Sequence, residues 1–165
     1  MSWAYLHLAI NHFPIIGTII GLLLLIIGFV TKHKGVEVSG LGTLVFSAIM
    51  AVAAFLTGNP AEKVVENIPD VAKSLVSRHE DIASVGMYLL IPTGIFAALT
   101  LYSIWKKEKS VKFLVIITLI LSLISSIAMV FVGRTGGQIR HTEFHDESVK
   151  QFIIQHKNDV EEDED

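Results

Sequence analysis

Apolar and polar residues fall along this chain in long blocks, not in a strand-like alternation. Four stretches, roughly Leu8–Val30, Val38–Leu56, Ile82–Trp105 and Val111–Val132, are almost wholly apolar and contain no Asp or Glu. A helix needs about 20 mostly apolar residues to cross the hydrocarbon core of a bilayer. The pattern therefore predicts four transmembrane helices. The first stretch runs too long for a signal peptide, lacks a basic leader and holds Asn11, His12 and Pro14, so it reads as a retained span.

The polar breaks set the orientation. Thr31–Glu37 is short and carries Lys32, His33 and Lys34, and Lys106–Ser110 is short and carries Lys106, Lys107 and Lys109. Lysine-rich short loops stay on the cytoplasmic side. Both termini and the longer connection Thr57–Asp81 are then expected on the periplasmic side of a bacterial inner membrane. Short turns make successive spans antiparallel neighbours, and the expected architecture is an all-α, up-down bundle of four transmembrane helices.

Small residues mark the faces along which helices approach closely in lipid: Gly17, Gly21 and Gly28 in span one, Ser39, Thr43, Ser47 and Ala51 in span two, Thr118, Ser122 and Ser126 in span four. Thr57-Gly58-Asn59-Pro60 reads as the turn that ends span two. Pro69-Asp70 followed by an unbroken run reads as a helix start, which extends the third helix ~12 residues, or about 18 Å, beyond the membrane.

Composition sharpens this picture. Of the 165 residues 52% are hydrophobic, and the mean hydropathy is +0.58. Residues 1–140, the expected transmembrane domain, hold 7 acids against 11 Lys and Arg; residues 141–165, an acidic tail with a possible short helix near its start, hold 9 acids against 2 Lys. There is no cysteine, which excludes disulfides, thiol catalysis, and thioether-linked haem or iron–sulfur ligation by the chain itself. No HExxH, phosphate-binding loop or dinucleotide fingerprint occurs, and nothing points to nucleic acid. An electron carrier or accessory subunit is expected before a stand-alone enzyme.

The candidate chemistry lies in the histidines. Threaded through a bilayer, His7, His12, His79, His141 and His145 gather near one face, with His33 at the other and His156 in the distal tail. Ionisable groups at membrane depth are costly and mark sites, and histidine is a common haem and transition-metal ligand. His12 is the deepest on the outer side. His7, five residues earlier, points roughly 140° away on a helix of 3.6 residues per turn. His79 heads a face of Ala83, Gly86, Leu90, Gly94 and Ala97, small enough to admit a flat macrocycle. Height is an objection, since His12 and His79 differ by ~10 Å at 1.5 Å per residue. After span four, Gly133-Arg134-Thr135-Gly136-Gly137-Gln138-Ile139-Arg140-His141 reads as a glycine turn whose amides and arginines suit carboxylates or phosphates.

Taken in order, Leu6-His7-Leu8, Asn11-His12-Phe13-Pro14-Ile15, Thr57-Gly58-Asn59-Pro60-Ala61-Glu62, Arg78-His79-Glu80 and Gly136-Gly137-Gln138-Ile139-Arg140-His141 resemble a bacterial family catalogued as domain of unknown function 2231. The resemblance covers essentially residues 5–145. It implies a four-span inner-membrane protein, highlights His12 and His79, and supplies no activity.

Three readings follow. In the first, two of His12, His79, His7 and His141 ligate haem b near the periplasmic side, with Arg134 or Arg140 near its propionates and Gly86 in the cofactor groove, for electron transfer. In the second, the protein is a cofactor-free accessory subunit of a larger membrane complex and its histidines make interhelical hydrogen bonds. In the third, His12 and His79 hold a transition metal, or the chain is a proton-coupled transporter. The lack of internal acids and broken helices argues against transport by a monomer. Membrane lipids, and a larger complex or a homo-oligomer, are the expected partners.

Overall fold

The computed structural model describes residues 3–65, 72–139, 141 and 145–162. Every regular element among them is helical: α1 (Trp3–Ile10), α2 (His12–Thr31), α3 (Lys34–Val65), α4 (Lys73–Lys106), α5 (Val111–Gln138) and α6 (Glu147–Glu162). Four helices are long and apolar enough to cross a membrane: Trp3–Thr31, Lys34–Val64, Lys73–Lys106 and Val111–Gln138. The helix break between α1 and α2 falls at Asn11. Pro14 has no N–H to offer the Ile10 carbonyl, and its ring crowds that carbonyl. With α2 beginning at His12, Pro14 is its third residue and lies in its first turn, where a missing N–H is tolerated.

Helices α2, α3, α4 and α5 pack in a ring, each against two neighbours, with α1 against α3 and α6 against α4. The α2–α3 contact is backbone-close. Gly17 lies against Ser47, Gly21 against Leu44 and Gly28 against Glu37, so these two helices run antiparallel. Helices α4 and α5 are joined by buried hydroxyls. Thr93 Oγ1 and Ser125 Oγ are 2.8 Å apart, Ser125 Oγ donates to the Leu89 carbonyl at 3.1 Å, and Thr100 and Thr118 meet at 3.1 Å. The interior thus holds Thr18, Ser47, Thr93, Thr118 and Ser122, all fully buried, while Val30, Leu56, Tyr88, Phe113 and Ile120 face outward. That distribution suits a lipid exterior, where small and hydroxylated residues glue helices and large apolar ones meet acyl chains.

Both hairpin turns use a left-handed lysine. Lys32 (φ 57) and Lys107 (φ 56) cap α2 and α4. The next amide reaches back five residues, His33 to the Gly28 carbonyl at 3.0 Å and Glu108 to the Ser103 carbonyl at 3.0 Å, which is the Schellman arrangement.

Two expected turns are helix instead. Thr57–Pro60 does not end span two: α3 runs through it to Val65. Ala54, Thr57 and Ala61 continue its buried stripe, and that packing outweighs the donor lost at Pro60. Likewise α5 carries through Gly133–Gln138, because Val132, Thr135 and Gln138 extend its buried face. The third helix begins within the described residues at Lys73; the expected start at Asp70 lies outside them. In the tail, α6 runs from Glu147 to Glu162, longer than the short helix expected near its start. Asp146 opens α6 by accepting from the Val149 amide at 3.0 Å, and it pairs with Arg134 at 3.1 Å. Val149 is buried, and the Arg78 guanidinium stands 5.1 Å over the Phe152 ring.

Candidate functional site

The buried face of the first span starts at His7 and descends through Asn11, Pro14 and Thr18, a spacing of three to four residues. His7 therefore points into the bundle. His12, about 100° round the helix from Asn11, is exposed. The site residue expected to be most enclosed is turned outward, and the glycine face opposite it meets α3. His12 makes no hydrogen bond to His79 among the described residues; His7 and His79 are the histidines that turn inward, each bonded to a threonine of the helix packed beside it.

The two inward rings are held alike. His7 Nδ1 lies 3.0 Å from the Ala54 carbonyl and 3.2 Å from Thr57 Oγ1. A carbonyl only accepts, so His7 carries its proton on Nδ1. The Thr57 hydroxyl spends its own hydrogen on the Ala53 and Ala54 carbonyls, at 3.0 and 2.9 Å. His79 Nδ1 lies 3.0 Å from Thr135 Oγ1, and that hydroxyl donates to the Phe131 and Val132 carbonyls, at 3.0 and 3.2 Å. Both histidines are thus Nδ1–H donors. Each neutral ring leaves its lone pair on Nε2, and among the described residues every hydrogen bond of these rings runs through Nδ1.

Glycines bring the helices close beside the rings. An added Cβ at Gly136 would stand 3.0 Å from His79 Cε1, and one at Gly58 would stand 3.8 Å from His7 Cε1. One turn below His7, Asn11 Oδ1 is buried with no hydrogen-bond partner among the described residues.

The remaining expected residues lie apart. Gly86 packs against Met129 and Val132, where a Cβ would meet them at 2.7 and 2.9 Å; it serves the α4–α5 contact. Arg134 is exposed and paired with Asp146. Arg140 lies outside the described residues. His141 is exposed, its amide bonded to the Gly137 carbonyl at 3.1 Å. His145 Nε2 lies 2.7 Å from the Gln138 carbonyl and so donates to it. His33 is exposed at the opposite end, accepting from the Val36 amide through Nδ1 at 3.3 Å. The amides of 136–138, expected to cradle an anion, belong to α5.

Sequence reasoning overlooked Thr57 and Thr135. Their signal was present in both, a Thr-Gly pair closing an apolar run that follows a histidine-bearing span. Among the described residues no three His, Asp or Glu gather to hold a metal ion. No family model, curated protein or solved structure matches the chain.

Proposed function

We propose that this chain is an up-down, four-span protein of a bacterial inner membrane whose paired His7 and His79 bind haem b for electron transfer. The observation that carries the reading is the shared tautomer. Metal-ligating histidines typically donate one ring N–H to a carbonyl or similar acceptor and ligate through the other nitrogen. His7 and His79 both satisfy the first half of that arrangement and leave Nε2 for the second.

The ligand count favours haem over a bare ion. A structural zinc site takes four protein ligands, and two imidazoles fall short of that. Haem brings four nitrogens of its own and needs only axial ligands. Bound there, it would supply one-electron redox chemistry. The chain's own contribution is to orient two imidazoles and screen them from water. The lysine turns support a periplasmic location for the histidine end, both termini and the acidic tail by the positive-inside rule. The motifs that resemble domain of unknown function 2231 are compatible with this architecture.

The test is the absorption spectrum of detergent-purified, dithionite-reduced protein, with pyridine extraction of the pigment. A haem b α band, lost in His7→Ala and in His79→Ala and kept in His12→Ala, is expected. Absence of haem from protein recovered from haem-replete membranes would end the reading.

A second reading has its own support. The Nδ1 bonds tie α1 to α3 and α4 to α5, so the histidines also serve as interhelical clasps in a cofactor-free subunit of a larger membrane complex. Stoichiometric co-purification with a partner in mild detergent, unchanged by His7→Ala and His79→Ala, would favour that reading.

A further inference from the structure

The two helical hairpins, α1–α3 and α4–α5, repeat one another position by position. All six buried residues of α2 have a buried counterpart in α4 at the spacing that separates His7 from His79, 72 residues, from Pro14 and Gly86 at one end to Gly28 and Thr100 at the other. Between Glu37 and Thr57, seven of the eight buried residues of α3 recur as buried in α5 at the spacing that separates Thr57 from Thr135, 78 residues. Shared helical periodicity alone would align such stripes. It would not repeat the polar devices at both ends.

Those devices are repeated. At the turn end, each hairpin closes on a left-handed lysine with the same backward bond. Mid-membrane, Ser47 packs on Gly17, and its counterpart Ser125 bonds to Leu89, the counterpart of Gly17. At the open end, each hairpin carries a histidine whose Nδ1 meets a threonine hydroxyl on the returning helix, and a glycine follows the threonine beside the ring. Both threonines spend their hydrogen on the carbonyls three and four residues back.

We propose that the chain is a tandem pair of equivalent hairpins, and that Thr135 at His79, and Thr57 together with the Ala54 carbonyl at His7, are the positioning groups that hold both rings in one tautomer, so that a ligand between the hairpins meets two equivalent Nε2 donors. The ligand class follows: a metal centre with two open coordination positions, not an asymmetric organic substrate. The inference rests on the paired-histidine reading for the existence of a ligand. Its test needs no ligand, so the two fail separately. Asymmetry between the halves lies one turn below the rings, where Asn11 stands opposite its counterpart Ala83.

The experiment is ¹⁵N-histidine NMR of the full chain in detergent, stripped of any cofactor, at a pH where the rings are neutral. His7→Gln and His79→Gln assign the signals. Both rings are expected to show a protonated Nδ1 and a bare, pyridine-type Nε2. In Thr135→Val the His79 signals should gain an Nε2–H component while His7 stays unchanged, and Thr135→Ser should restore the original spectrum; in Thr57→Val His7 should keep its Nδ1–H, which the Ala54 carbonyl still accepts. An Nε2–H ring at either position in the unaltered protein would overturn the proposal. So would a Thr135→Val variant that leaves the His79 signals unchanged. If the valine variants do not fold, the spectrum of the unaltered protein decides.

Discussion

Glycine positions in this bundle differ sharply in what they tolerate. A Cβ at Gly28 would collide with the Glu37 backbone, and one at Gly94 with Ala48, whereas Gly42 has nothing within 4 Å. Overpacking a close contact costs about 1–3 kcal/mol. Gly28→Ala and Gly94→Ala are therefore expected to lower the unfolding free energy in detergent by that amount. Gly42→Ala should be neutral or gain up to about 1 kcal/mol from helix propensity. Ser125→Ala removes an interhelical bond to Thr93 and Leu89 and should cost about 0.6 kcal/mol, the usual worth of such bonds between membrane helices. Chemical denaturation in mixed micelles reads all four. Asp146 adds a pH effect. The Ser148 hydroxyl, the Val149 amide and Arg134 hold its carboxyl below the ordinary 3.8. Its folded value is thus lower than its unfolded one. The contribution to docking α6 is present above 3.8 and is lost as pH falls through the lowered value. An acid titration of the Val149 amide shift should report that lowered midpoint, and Asp146→Asn should abolish the titration.

Element boundaries show what the sequence could and could not convey. The four spans were legible because runs of Leu, Ile and Val without acids have one reading in length and composition. The continuation of α3 past Pro60 and of α5 past Gly137 was not, because local turn chemistry argued for an ending and only the burial of Ala61 and Gln138 by neighbouring helices decided otherwise. The same tertiary information separated the histidines. His7, His12 and His79 were all visible as candidates, yet which side of α1–α2 faced inward depended on where α3 lay. The glycine stripe held that answer, since close packing draws glycine to a neighbour and turns His12 away. The αL lysines offer an element-level check. Left-handed backbone costs a non-glycine residue about 1–2 kcal/mol, partly offset by the entropy of a glycine in the unfolded chain. Lys32→Gly should therefore stabilise the first hairpin slightly, measured as a small rise in melting temperature, and any fall would show that the lysine side chain matters there.

The interior mixes Leu, Ala and Val with small hydroxylated residues while most large apolar side chains face outward, and the two tryptophans lie towards opposite ends. Trp3 opens the helix that carries His7, and Trp105 closes α4 beside the lysine turn, with Lys106 Nζ 4.5 Å over its ring. Tryptophan belongs at the membrane interface. In single-tryptophan variants reconstituted into vesicles, lipids brominated near the headgroup should quench both residues more than lipids brominated near the chain end. Deep quenching of either would contradict the span boundaries. In the proposed reading His7 and His79 would together hold one haem iron. Low-temperature electron paramagnetic resonance of the oxidised, detergent-purified protein tests it most directly. Haem held by both inward histidines should give a low-spin bis-imidazole ferric signal that turns high-spin or vanishes in His7→Ala and in His79→Ala and persists in His12→Ala. A low-spin signal that survives loss of either inward histidine, or disappears with His12, would contradict it.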